Sequence, residues 1–365
     1  MTTTVHTVID IVDALAPPAY ALPNDPIGLH IGNKHAPVSA VVTTLDVRPQ
    51  TIQACIAHGA SLIVAHHPLI YEKRAAITAH TPDGALLMEL MRAGISVYVA
   101  HTNYDVAPGG VNDVLADALG LGQTDVLERT HTPVWFKLVT YVPHTHVDVV
   151  RDAICDAGAG VLGRYAHCTF MIEGTGTFVP LDGARPHIGT IDQRTHVQEV
   201  RIETIMPADA RPRVLAALHN AHPYETVAYD VLPLAHAVHK PYGIGRVGTI
   251  APCTLQSFAA HTKHAFGIPY VRFVGDASRT VRTIAILGGS GKRALPHAIA
   301  CGADVLVTGD IDHHTAIDAR LHGLALIDAG HAIEDIAMAH MARVLNEKGM
   351  RAYHDHDGAS PFVCV

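Results

Sequence analysis

Short runs of β-branched residues alternate with helical patterns over the first third of this chain, break off, and resume over the last third. Only a mostly parallel sheet flanked by helices accommodates that order. The first series reads as strand 38–46, helix 49–58, strand 61–65, helix 84–93, strand 95–100 and helix 110–119. The second reads as strand 282–287, helix 292–301, strand 304–307, helix 315–321, strand 325–328 and helix 332–346. Between them, 135–142, 147–157, 168–179, 197–207, 211–221 and 226–234 read as strand, helix, strand, strand, helix, strand, which is a ferredoxin-like order. A chain of 365 residues exceeds one ordinary domain. The pattern therefore predicts an α/β fold: two α/β halves, residues 1–125 and 245–365, form one discontinuous domain, interrupted by a ferredoxin-like α+β insert at 126–244.

Composition narrows the function classes. Apolar residues make up 48%, charged residues only 16%, and mean hydropathy is +0.21, which excludes a disordered chain. The longest apolar runs stop far short of the roughly 18 residues of a membrane span. The N-terminus has neither a basic n-region nor an apolar h-region, so the expectation is a cytoplasmic protein with no membrane partner. Six scattered cysteines without a C-x-x-C pair argue against a disulfide framework and a zinc knuckle. A net charge of -8 supplies no basic stripe for nucleic acid. Histidine stands out: 28 residues against 26 lysines and arginines together.

A lone histidine in so His-rich a chain is ordinarily a surface or packed side chain, so position must decide. In open α/β sheets, ligands bind beyond the carboxyl ends of the strands. Strand 61–65 ends in His66-His67-Pro68, and strand 95–100 in His101-Thr102-Asn103-Tyr104-Asp105. Strand 304–307 ends in Thr308-Gly309-Asp310 with His313 and His314 beyond, and strand 325–328 in Asp328-Ala329-Gly330-His331. Four strands from both halves thus deliver imidazoles and carboxylates at the same end. Imidazole with carboxylate and no thiolate is a ligand set for Zn, Fe, Mn or Ni. His331 opens the last helix and Glu334 follows at i+3 on the same face, with Asp335 at i+4 as the competing ligand. The plainer explanation is a helix cap followed by an acid favoured by the helix dipole.

At these residues the sequence resembles the Nif-three-like dinuclear metal-centre proteins, often labelled GTP cyclohydrolase type 2 homologues. Asp46, Ala65-His66-His67-Pro68, the segment from His101 to Asp105, Thr308-Gly309-Asp310 with His314, and Gly330-His331-x-x-Glu334 carry the likeness. The Asn24-Asp25 loop departs from the family order and receives no role. Gly163-Arg164-Tyr165, His222-Pro223-Tyr224-Glu225 and the segment from Tyr242 to Gly248 resemble the form with a PII-like or CutA-like middle domain. The resemblance implies two divalent metal ions per subunit (Zn, Fe or Mn) held by His66, His67, Asp105, His331 and Glu334, with Asp105 bridging. It makes His101 and His314 pocket groups for proton transfer, and it implies a homohexameric ring whose sites face an internal cavity.

Two M²⁺ ions less two carboxylates leave a net charge of about +2, which favours a small anionic substrate; metals roughly 3.5–4 Å apart activate a shared water. The leading expectation is a metal-dependent hydrolase of a phosphorylated or nucleotide-like substrate. The rival is a non-catalytic, metal-binding regulatory or scaffold oligomer whose insert senses a small ligand. Two motifs are set aside. Gly288-Gly289-Ser290-Gly291-Lys292-Arg293 lacks the first glycine and the final Ser/Thr of a Walker A loop, leaving a plain turn or a backbone anion cradle. His222-x-x-Glu225 contains Pro223, which breaks the helix that would align its ends, so it is read as structural or inter-subunit.

Overall fold

The computed structural model describes residues 3–235, 242–356 and 360–362. The chain divides into two compact units, Met1–His131 with Tyr242–Val365, and Thr132–Pro241. The first stretch runs α1 (Val5–Leu15), β1 (Gly28–Ile31), β2 (Val41–Thr44), α2 (Pro49–His58), β3 (Leu62–Ala65), α3 (Pro82–Arg92), β4 (Ser96–Val99), α4 (Thr102–Val106), α5 (Val111–Ala118) and β5 (Gly122–His131). The second unit holds β6 (Trp135–Pro143), α6 (Val147–Asp156), β7 (Thr169–Phe178), β8 (Thr195–Pro207), α7 (Arg211–Ala221) and β9 (Tyr229–Pro233). The chain returns through β10 (Tyr242–Thr254), α8 (Leu255–Ala265), β11 (Arg272–Val274), β12 (Thr280–Ser290), α9 (Leu295–Ala300) and β13 (Val305–Gly309). It finishes with α10 (His313–Leu321), β14 (Ala325–Asp328), α11 (Asp335–Glu347) and β15 (Ala352–His354).

The first unit contains two sheets. One has the order β1-β4-β3-β2-β15, parallel except for its β1 edge. The other has the order β11-β14-β13-β12-β10-β5, with a parallel centre of β12, β13 and β14. Every residue of β2, β3, β4, β13 and β14 is buried, as expected of parallel strands covered on both faces. One apolar cluster joins the two sheets, running from Val41, Leu62 and Tyr98 to Ile286, Val307 and Ile327, with Leu115 and Met338 from helices among its members. β15, the last strand among the described residues, pairs in parallel with β2 at the edge of the first sheet.

The second unit is a four-stranded antiparallel sheet of order β7-β8-β6-β9, with α6 and α7 packed on it through Val150, Ile154, Val214 and Leu218. Its limits lie six residues later and three residues earlier than the 126 and 244 read from the sequence. The reason is the ladder between β5 and β10, which pairs His131 with Tyr242 and so keeps those residues in the first unit. Edge strands β1, β5, β11 and β15 were not legible as strands, because they are short or carry polar residues that alternate weakly. No helix among the described residues is long and apolar enough to cross a membrane. Cys55, Cys155, Cys168, Cys253 and Cys301 are free thiols, while Cys364 lies outside the described residues.

Candidate metal centre

Five parallel strands, three from one sheet and two from the other, deliver polar residues at their carboxyl ends. Beyond β2 lies Asp46, beyond β3 His66 and His67, and beyond β4 His101 and, on α4, Asp105. Asp310 follows β13, and His331 with Glu334 follows β14. Gly330 makes the last connection with φ +80, a backbone conformation costly for any residue with a Cβ. His331–Glu334 then form a 3-10 turn rather than the first turn of an α-helix, and α11 begins only at Asp335. In a 3-10 turn, residues i and i+3 eclipse. That aligns Glu334 with His331 and turns Asp335 elsewhere, onto His354 and His356.

Each imidazole is fixed through Nδ1. His67 donates from Nδ1 to Asp46 at 2.8 Å, His331 to Asp310 at 2.7 Å, His101 to Asp25 at 2.7 Å, and His66 to the Ala100 carbonyl at 3.0 Å. An acceptor at Nδ1 places the proton there and leaves a lone pair on Nε2. These Nε2 atoms converge on acceptors. Nε2 of His67 and Nε2 of His331 stand 3.2 Å apart, and each is 3.3 Å from Oε2 of Glu334. Bonds of 2.0–2.1 Å to a tetrahedral ion put neighbouring donor atoms about 3.3–3.4 Å apart. The same Glu334 oxygen is 3.9 Å from His66 Nε2, which in turn is 3.6 Å from Oδ1 of Asp105. Asp105 Oδ1 is buried with no hydrogen-bond partner.

Three converging lone pairs and an orphaned buried carboxylate oxygen repel one another unless a positive charge sits among them. Protonation follows that logic. Burial opposes charge on His67, but its contacts with Asp46 and Glu334 raise its pKa to about 10. The Glu334 hydrogen bond, against burial and helped by Asp310, raises His331 to about 9. Burial pushes fully enclosed His66 down to about 3. Burial and then the neighbouring Glu334 charge drive Asp105 well above the usual carboxylate range. Glu334 lies below that range, because the two imidazole hydrogen bonds outweigh the effect of its burial. Donor identity, spacing and the orphaned oxygen therefore fit a divalent cation held by His67, His331 and Glu334, and a second donor group of His66, Asp105 and Glu334. Glu334, not Asp105, belongs to both groups.

The Gly288-Gly289 bend near the end of β12 belongs to this site as its floor. A Cβ on Gly288 would lie 2.7 Å from Oε1 of Glu334, and one on Gly289 would lie 3.2 Å from Nε2 of His331. The Gly288 N–H donates inward to Asn112, whose side chain also donates to the Asp105 carbonyl, so that N–H is committed within the protein. His101 joins His66 and His67 in a third group of mutually close donor atoms. His314 does not join them: it is exposed on α10 and its ring neighbours His313. Asp25, given no role in the sequence reading, is the partner that orients His101 and also accepts from the Thr102 N–H at 3.0 Å. In the other unit, His222 donates from Nε2 to the Tyr141 carbonyl and accepts the Tyr224 N–H, while Glu225 accepts the Arg185 N–H instead of meeting His222.

The chain matches known proteins along nearly its whole length. A profile of the Duf34/NIF3 (NGG1p interacting factor 3) family matches residues 3–355. A GTP cyclohydrolase 1 type 2 homolog of Bacillus subtilis is 42% identical over 363 residues, covering 98% of this chain and 97% of the relative. That of Halalkalibacterium halodurans is 43% identical over 332 residues, covering 91% and 89%. A crystal structure of a Bacillus cereus protein related to NIF3 superposes with a TM-score of 0.91 at 40% identity, covering 100% of both chains. A Staphylococcus aureus protein gives 0.81 at 30% identity, covering 100% and 99%. With matches of this length and identity, the chain belongs to the Duf34/NIF3 family.

Proposed function

We propose that the chain is a dinuclear divalent-metal protein, a hydrolase acting on a phosphorylated or nucleotide-like anion. The observation that supports this reading most is the pair of donor groups sharing Glu334, with the orphaned Asp105 oxygen in one of them. His67, His331 and Glu334 would hold one ion, and His66, Asp105 and Glu334 the other, the ions being Zn, Fe or Mn. When bound, such a pair lowers the pKa of a shared water and polarises a phosphoryl or carbonyl oxygen. Asp46 and Asp310 hold His67 and His331 in the tautomer that presents Nε2. Asp25 does the same for His101, leaving its Nε2 to accept or return a proton at the substrate. The name carried by the relatives points to GTP; ring opening of a purine nucleotide is one hydrolysis within this class. The same reading makes the protein a cytoplasmic homohexamer and its middle unit a ferredoxin-like, PII/CutA-like insert.

A second reading, a non-catalytic regulatory scaffold, draws support from the commitment of Asp25, Asp46, Asp310 and Glu334 to imidazoles, which leaves His101 as the one group assigned to proton transfer. Turnover separates the two. Metal-replete protein is incubated with a panel of phosphoesters and nucleotides, and products are quantified. The hydrolase reading expects conversion that chelation abolishes, metal restores, and rising pH accelerates through neutrality. His101→Ala lowers that rate by about 10²-fold or more while metal content is retained. Tight binding seen as a melting shift, without conversion of any compound, overturns the hydrolase reading in favour of the scaffold.

A further inference from the structure

We propose that Asp335, His354 and His356 form a separate site for a single divalent transition-metal ion, independent of the centre built around Glu334. Asp335 is the first residue of α11 and is 3% exposed. Burying a carboxylate is costly unless both oxygens find partners. Here Oδ1 faces Nε2 of His354 at 3.0 Å, and Oδ2 faces Nδ1 of His356 at 2.7 Å. The two histidines sit at i and i+2 where the chain leaves β15, a spacing that puts both side chains on one side of an extended backbone. Their ring centroids are 5.6 Å apart, and one donor atom from each of the three residues lies within 4.8 Å of the others. A first-row ion with bonds of about 2.0–2.2 Å holds its donors about 3 to 4.4 Å apart, so small side-chain rotations bring the three onto one ion.

The chemistry of the set selects the ligand. Two imidazoles and one carboxylate, without a thiolate, suit Zn²⁺, Co²⁺, Ni²⁺ or Fe²⁺ rather than Ca²⁺ or Mg²⁺. His356 is 82% exposed, so the remaining coordination positions open to solvent and the ion can exchange. The site shares no side chain with the central donor groups. The intervening Asp355 is committed elsewhere, accepting from Thr51 at 2.7 Å. An ion here ties the end of β15 to the start of α11, one residue beyond Glu334.

Co²⁺ titration of the full chain tests the site. The donor group of His67, His331 and Glu334 is disabled first in a His67→Ala/His331→Ala chain, at two residues that are not deeply buried. His66, Asp105 and Glu334 remain in this chain, so the readout is a difference: adding His356→Ala, a change at an exposed position, should lower its bound Co²⁺ by one equivalent. In the otherwise wild-type chain, His356→Ala should lower total bound Co²⁺ by one equivalent and leave the centre loaded. No Co²⁺ binding by the His67→Ala/His331→Ala chain, or unchanged stoichiometry and affinity after His356→Ala, overturns the proposal. Failure of the central site reads differently: His67→Ala/His331→Ala would then leave total metal content at the wild-type value.

Discussion

A histidine becomes a directed donor only when something holds its other nitrogen, and around Glu334 that work falls to carboxylates far away in sequence. Asp46 lies 21 residues from His67, and Asp25 lies 76 from His101. Glu334→Gln and His67→Ala remove donors and are expected to empty the site, as elemental analysis of purified protein would show. Asp46→Asn leaves every donor in place but frees His67 to rotate and change tautomer. Metal affinity should fall by about 10- to 100-fold in a chelator competition. Gly288→Ala is a steric counterpart: its Cβ would meet Oε1 of Glu334 at 2.7 Å, so metal content should drop although no donor is altered. Unchanged metal content in that variant would show that Glu334 does not depend on the glycine floor. The strand-end histidines were legible in the sequence because strand ends are set by local pattern. Their Nδ1 partners were not, because pairing across 21 to 76 residues is decided by packing.

Between secondary-structure elements, the ladder of β5 with β10 sets where the second unit leaves and rejoins the first. His131 and Tyr242 are direct partners, so the strands can be closed by a two-residue Asn-Gly turn in place of residues 132–241. The shortened chain is expected to fold and to retain the metal content of the full chain. An insoluble or metal-free product would show that the unit 132–241 is required by the rest. His222 gives that unit a pH signature. Its Nδ1 accepts the Tyr224 N–H, so the fold requires the neutral ring, and burial above all holds its pKa below the ordinary 6.5. The unfolded chain then binds more protons on acidification. The contribution is complete above about pH 6.5 and is lost as pH falls below it. Trp135, the single tryptophan, lies in β6 of this unit, so its fluorescence in urea should report a midpoint that declines from pH 8 to pH 5. His222→Gln should flatten that decline. The strand, helix, strand, strand, helix, strand order was legible because each element has a clear period; the exact limits were not, because β5 continues past the point where its pattern becomes polar.

Across the whole first unit, the donors come from both sheets: His66, His67 and Asp105 follow strands of one, and His331 and Glu334 follow a strand of the other. A bound ion is therefore a cross-link within that unit and stabilises it by mass action, roughly 4 kcal/mol at a thousandfold excess over Kd. Chelation should lower the melting temperature of this unit by something on the order of 10 °C, and re-addition of metal should restore it. Calorimetry of the chain lacking 132–241 isolates that transition. An identical melting curve with and without chelator would mean that the donors do not hold an ion in the folded protein.

Periodicity and strand-end chemistry, both properties of a few neighbouring residues, were enough to place the parallel strands, the interrupted α/β layout and the strand-end positions of His66, His67, His101, Asp105 and His331. The tertiary structure alone decided which of Glu334 and Asp335 faces the centre, because that choice rests on a 3-10 turn whose eclipsed residues no periodic pattern announces. It alone made Glu334 the carboxylate common to both donor groups, brought Asp25 to His101 and left His314 in solvent. Sequence spacing fixes which residues share a local face. Which faces meet is fixed only when two sheets pack around one core and bring their strand ends together.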